Sequence, residues 1–317
     1  MSESFARGAF TGTLSQDVVF PYPSMDPEQA EVVEMLRDSI RKYAAEHIDD
    51  ARIDAAAEIP REVLETLAGM GVMGMIIPEE YGGSGMGITA YCKILEEIAY
   101  HSAAVAVTVG AHQSIGMKAI TLFGNEEQKA KYLPPLAAGK QYAAFALTEP
   151  GAGSDAGSIE STAVRTEDGS AYILNGTKQW ITNAGFASVF TIFAKTEVPR
   201  AKNEHQKVIG FIVTSDVPGV TIGPPEKKMG IRGSETNEIH MENVRVPKAN
   251  VLGEVGGGFK IAMGVLNEGR LGLASGCVGA ARRLIELSVE FANERRQFDH
   301  AIGDFELIEE KLADMGL

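Results

Sequence analysis

The chain has 317 residues, 43 Asp and Glu against 29 Lys and Arg, a formal net charge of -14, 44% hydrophobic residues and 35 glycines. That length allows two or three domains of roughly 100–200 residues, each able to bury a core. The acidic balance argues against a nucleic-acid partner, which needs clustered Lys and Arg to neutralise phosphates. Two cysteines, Cys92 and Cys277, are too few for a disulfide scaffold or a thiolate metal site and read as free thiols. The most apolar windows, such as 103–110, break off well before the ~20 residues of a membrane span. Residues 1–22 carry one basic side chain, Arg7, and no long apolar stretch, unlike a signal peptide or an Arg-rich transit sequence. The expected location is the cytoplasm, or the mitochondrial matrix for a processed eukaryotic chain.

In chain order, Asp26 can cap a helix with Pro27 at its first position, and Val33, Leu36, Ile40 and Tyr43 recur at helical spacing. A second amphipathic helix starts near Pro60, with Val63, Leu64 and Leu67 on one side, and stops by Gly71. After a Gly-rich loop at 81–87, the stretches 90–100 and 105–123 read as apolar, buried helices. Asn125 then opens a capped helix, with Glu126 and Glu127 in its first turn and Gln128 placed for a capping box.

Beyond Gly139 the period changes. Residues 142–147, 161–165, 171–174, 189–194, 208–213 and 238–246 are short β-rich runs, separated by turn chemistry such as Asp168-Gly169 and Asn175-Gly176. The helical period returns over 259–294 and again around 304–315. The expected fold class is α+β: an all-helical unit at 1–140, a small β domain at 141–253, and the start of a second helical domain at 254–317.

Gly151-Ala152-Gly153-Ser154-Asp155-Ala156 satisfies the G-x-G-x-x-A dinucleotide fingerprint. The residues after it are β-type sequence around an Asp-Gly turn, so no helix N-terminus is available to hold a pyrophosphate. One remaining reading is a tight turn at a strand exit. The other is a wall of backbone N–H groups and short hydroxyls, through Thr148-Glu149-Pro150 and Ser154-Asp155, that donates to a flat electron-poor ligand. A second run, Lys178-Gln179-Trp180-Ile181-Thr182-Asn183, carries the only Trp of the chain, a residue type more often found in a core than stacked on a cofactor.

These runs carry a resemblance. The segment from Ala146 to Asp155 resembles the signature of the flavin-dependent acyl-CoA dehydrogenases, and Asn175 to Asn183 is similar to their second flavin segment. Lys228-Met229-Gly230-Ile231-Arg232, Val244-Arg245-Val246-Pro247 and Asn250-Val251-Leu252-Gly253 resemble the family's closing β segment, and Arg295-Arg296-Gln297-Phe298 its Arg-x-x-Phe element. Phe20-Pro21-Tyr22-Pro23 and Gly110-Ala111-His112-Gln113-Ser114 are closest to the family's very-long-chain branch.

The resemblance implies FAD as cofactor, with Phe145, Ala146, Leu147, Thr148, Gly153, Ser154, Trp180, Ile181 and Thr182 at the flavin and Arg295 reaching the flavin pyrophosphate of a neighbouring subunit. It implies acyl-CoA contacts from Ser154, Asn267, Gly269 and Arg270, and no metal. The implied reaction is α,β-dehydrogenation of long or very-long-chain fatty acyl-CoA to trans-2-enoyl-CoA in fatty acid β-oxidation. A carboxylate removes the α-proton, and electrons pass to an electron-transfer flavoprotein. An inter-subunit flavin contact implies a homodimer or larger assembly.

The base is the gap in this pattern. Most members carry it late in the C-terminal helical domain, so it is expected beyond Leu317. A minority carry it immediately before the residue matching Arg270, which here is Gly269. Glu268 is one residue off, and one residue swings a side chain by ~100° around a helix; Glu149 is expected to be structural. The resemblance leaves two alternatives, a non-catalytic flavin-binding assembly factor of the same fold and an acyl-CoA oxidase.

Overall fold

The computed structural model describes residues 5–13, 20–21, 24–199 and 201–317. Tyr22-Pro23, part of the resemblance to the very-long-chain branch, lies outside the described residues. The architecture is α+β, a helical region followed by a β-sheet and then by further helices.

A short helix, α1 (Phe5–Phe10), precedes the first long one. Asp26 Oδ1 accepts from the Glu28 N–H at 2.9 Å and starts α2 (Pro27–His47), which turns Val33, Ile40 and Ala44 inward. Next comes α3 (Asp50–Ala56), under an Asp49 cap. Its periodicity is illegible because seven residues bury one side chain, Ile53. Helix α4 (Arg61–Gly69) buries Val63, Leu64 and Leu67 as their spacing predicts. Helices α5 (Ile88–His101) and α6 (Ala103–Gly110) are largely buried.

The stretch read as one helix to Phe123 is interrupted. Residues Ala111–Met117 form a π-helix before α7 (Lys118–Phe123). The π turn is tied to its surroundings through its own His112, whose Nδ1 accepts from the Ala143 N–H at 3.0 Å while its Nε2 lies 3.1 Å from the Leu136 carbonyl. Helix α8 (Glu126–Ala137) starts under the full capping box of Asn125 and Gln128. Gln128 Nε2 also donates to the carbonyls of Ala249 and Val251, both at 2.8 Å, tying α8 to the end of the β region.

The strands of the main sheet are β1 (Ala143–Ala146), β2 (Thr162–Arg165), β3 (Ala171–Thr182), β4 (Val189–Lys195), β5 (Val208–Thr214), β6 (Val220–Ile222), β7 (Thr236–Pro247) and β8 (Val251–Leu252). They join in the order β6-β7-β3-β2-β4-β5-β8, with β1 parallel to β4 off this path. Asn175-Gly176 is not a turn. Strand β3 runs through it as a β-bulge, with the register against β7 shifting between Leu174 and Gly176. Gly176 takes φ 142°, and a Cβ there would lie 2.3 Å from Ser161 Oγ, so the position requires glycine. A second register shift separates Lys178 from Ile181.

Helix α9 (Gly258–Glu294) crosses from the sheet to the helical region. Its start buries Ile261, Ala262 and Val265 against the sheet-side core. Further on, a Cβ at Gly279 would sit 2.0 Å from the Glu96 carbonyl oxygen, so the absence of a side chain lets α9 approach α5. Its later part and α10 (Glu306–Gly316) expose Leu284, Phe291 and Leu307.

Candidate functional site

Strand β1 ends at Ala146, and alternation along it divides its side chains. Phe145 turns to one face and packs against Phe193, with ring centroids 5.1 Å apart. Leu147 follows on the same face, whereas Ala146 turns to the other and joins a core with Phe190 and Ile192. The next residues are anchored to β3: the Thr148 carbonyl accepts from the Gln179 N–H at 2.9 Å. Glu149 and Ala152 exchange backbone hydrogen bonds at 3.1 and 3.0 Å, closing a tight turn over Pro150-Gly151. Beyond it stands a single 3-10 turn, Ala156–Ser158, so no helix opens behind the G-x-G-x-x-A run.

The second bulge of β3 sets Trp180. Its φ is 57° and its side chain is 59% exposed, so the only Trp of the chain is not core. A bulky residue in the left-handed region is uncommon and costs backbone strain, and here it stands on the edge of a cavity.

These elements enclose a cavity of about 560 Å³. Its wall takes Phe145, Leu147, Thr148, Gly153 and Ser154 from the first run, Trp180, Ile181 and Thr182 from the second, and Arg270 from α9. Sequence reasoning missed Phe259, Met263 and Leu266 on α9, although with Arg270 they recur at helical spacing. It also missed Ile115, which the π-helix brings to the wall, and His205. The His205 imidazole stacks on the Phe259 ring with centroids 3.9 Å apart and planes at 4°. Gly157 makes room for it, since a Cβ there would lie 2.4 Å from His205 Nε2.

Four predicted residues are placed elsewhere. Ala146 faces the opposite core, beside Phe190. Asn267 does not line the cavity, and its Oδ1 accepts from Arg270. Gly269 faces the π-helix, where a Cβ would meet Ile115 Cγ2 at 2.9 Å. Arg295, exposed at the C-terminus of α9, lies roughly 40 Å along the helix from Arg270. Glu268 is also off the wall and pairs with Lys118 at 2.5 Å.

Beneath the cavity lies a buried ion pair. Lys178 Nζ, fully buried, donates to Glu149 Oε1 at 2.6 Å and to the Leu147 carbonyl at 3.2 Å. Glu149 also accepts from the backbone N–H groups of Glu160 at 2.5 Å and Ser161 at 3.1 Å. Burial works against both charges. The Lys178 cation and the added donors nevertheless hold the Glu149 carboxyl below its ordinary value. Among the described residues, the one carboxylate on the cavity wall is Asp155, whose Oδ2 accepts from the Ser158 hydroxyl at 2.5 Å.

A larger cleft of about 1430 Å³ separates α4 from the segment 225–235. None of the predicted site residues borders it.

Three family models match the chain in order: the acyl-CoA dehydrogenase N-terminal domain over residues 30–140, the middle domain over 144–244 and the C-terminal domain over 256–317. The human mitochondrial very long-chain specific acyl-CoA dehydrogenase is 47% identical over 317 residues, covering 99% of this chain and 48% of that protein. The chain thus spans about half the length of these curated relatives. The solved butyryl-CoA dehydrogenase of Megasphaera elsdenii superposes with a TM-score of 0.84 at 37% identity, covering 93% of this chain and 76% of that one. The acyl-CoA dehydrogenase of Bacillus anthracis, solved in complex with FAD, gives 0.80 at 42% identity over 94% of this chain and 50% of that one. With three domain models matched in sequence and their relatives superposing on the fold around this cavity, the chain belongs to the acyl-CoA dehydrogenase family.

Proposed function

We propose that this chain carries the flavin- and thioester-binding part of a FAD-dependent dehydrogenase that converts long or very-long-chain fatty acyl-CoA to trans-2-enoyl-CoA, passes electrons to an electron-transfer flavoprotein, and works as a homodimer or larger assembly. The observation that supports it is the convergence of two distant runs, 145–154 and 180–182, with one face of α9 on a single cavity.

The donor set fits the cofactor. No hydrogen bond to another described residue engages the hydroxyls of Thr148 or Thr182, and both residues line the wall. When bound, FAD supplies an acceptor for two electrons, and preset O–H and N–H donors favour the charge this adds. Thr148 and Thr182 would donate to the ring and Trp180 would pack on it. Ser154 and Arg270 are the polar groups for the thioester arm. Phe145, Leu147, Ile115, Met263 and Leu266 exclude water, which strengthens every dipole inside. Arg295, too far along α9 for its own cavity, is assigned to the flavin pyrophosphate of a second subunit.

The base is assigned outside the described residues. Asp155 is engaged by Ser158, Glu149 is held in its buried pair, and Glu268 is paired to Lys118 off the cavity wall. Anaerobic addition of palmitoyl-CoA to the FAD-loaded chain tests both parts. The flavin's visible band is expected to shift saturably without bleaching, and butyryl-CoA to shift it at higher concentration. Bleaching would show that the chain contains a base. No shift at all would favour a flavin-binding protein without an acyl-CoA site.

A further inference from the structure

We propose that the buried Lys178–Glu149 pair is a positioning element, which locks the segment carrying Thr148 and Ser154 to the bulged end of β3 and so sets where both hydroxyls meet the ligand. The inference rests on the proposed FAD site.

The need for such an element lies in the topology. Strand β1 ends at Ala146, and its ladder partner is β4, not β3. Residues 147–149 therefore leave the sheet with no continuous ladder to direct them, at the point where the cavity wall begins. Three successive acceptors are taken by two successive residues of β3: the Leu147 carbonyl by Lys178 Nζ, the Thr148 carbonyl by the Gln179 N–H, and Glu149 Oε1 by Lys178 Nζ again. These two residues also sit at the bulge that turns Trp180 out.

The Glu149 carboxylate does a second task. By accepting from the N–H groups of Glu160 and Ser161 it joins the two ends of the loop that carries Gly153 and Ser154. One buried ion pair thus couples both flavin segments and the turn between them. Burying two charges is a poor route to stability, because apolar residues of similar volume often serve as well or better. Their placement is explained by direction: charged hydrogen bonds fix orientation where dispersion contacts do not.

The test uses the full 317-residue chain and the variants Glu149→Gln, Lys178→Met and the double variant Lys178→Met with Glu149→Leu. Thermal unfolding, emission of the lone Trp180 without flavin, and FAD affinity by flavin fluorescence are measured on each. Lys178→Met is expected to melt lowest, because it strands a buried carboxylate, and the double variant is expected to recover most of that loss. In every variant Trp180 emission is expected to shift and FAD affinity to fall about tenfold or more, the equivalent of one charged hydrogen bond. A purely structural role predicts that the double variant recovers emission and affinity together with melting, and that result overturns the proposal. Should the Lys178 variants fail to fold, the near-isosteric Glu149→Gln decides alone: wild-type emission and affinity would overturn it. If the unaltered chain takes up no FAD, the flavin reading itself fails.

Discussion

His112 shows how a single residue couples stability to pH. Both ring nitrogens are engaged inside the core, one accepting from Ala143, so the neutral ring is the form that fits. Burial lowers its pKa from 6.5 to about 4. Between these values the unfolded chain binds a proton that the folded chain refuses, so stability falls as pH drops through the window, by about 3 kcal/mol in total. Urea unfolding from pH 7 to pH 4 should show this loss, and His112→Asn should flatten it. A limb of equal depth in the variant would remove His112 from the explanation. Glu97 acts at lower pH. Burial pushes its carboxyl up, but the His101 imidazole 3.5 Å away and hydrogen bonds from Arg41 and Arg37 outweigh this and bring it from 4.5 to about 2. Its contribution is present above the unfolded value and disappears as pH falls toward about 2. Replacing it by Gln removes the buried anion that Arg37 and Arg41 share, leaving them Glu34 and Asp38 on the surface, and is expected to cost about 2 kcal/mol at neutral pH, read from the same urea curves. At this scale much of the site was legible. Thr148, Ser154, Trp180 and Thr182 stand in the two runs that carry the family resemblance, although composition alone left a plain turn and a core Trp open. His205 was not, because nothing local relates it to Phe259; only the fold stacks them.

At the level of elements, helix caps and apolar spacing declared themselves: the capping box at Asn125 and the stripe of α4 are local chemistry. The failures share one cause, partners distant in sequence. Asn175-Gly176 has strong turn chemistry, yet it is a bulge because β7 pairs on both sides of it and the Asn243 N–H donates to Asn175 Oδ1 at 2.8 Å. The π-helix at Ala111–Met117 is likewise set by β1 and α8 through His112. The crossing of α5 and α9 depends on Gly279. Adding even one methyl there places carbon against the Glu96 carbonyl, and the helices must separate. Gly279→Ala is expected to destabilise the chain by about 2 kcal/mol, seen as a lower urea midpoint with unchanged slope. An unaltered midpoint would mean that α9 does not sit this close to α5 in solution.

For the molecule as a whole, the apolar residues exposed late on α9 and on α10 are the feature most at odds with an isolated chain. Leu284 and Phe291 lie two helical turns apart on α9, and we propose that they belong to the interface of the homodimer put forward above. Sedimentation over a range of concentrations should show self-association, weakened at least tenfold by Leu284→Asp with Phe291→Asp. Association unchanged by the pair would move the interface elsewhere. The α+β order of helices, sheet and helices was readable from the change of hydrophobic period at Gly139 and its return after Gly258. Which side chains would share one cavity was not, since that requires the bulge, the π-helix and the crossing angle of α9 together. The central claim is that these elements build a flavin site. Titration of the purified 317-residue chain with FAD tests it most directly, through quenching of the flavin's own fluorescence. Saturation at one FAD per chain, with affinity reduced in Thr148→Val and in Trp180→Ala, is the predicted result. Fluorescence that falls no further than dilution requires would contradict it.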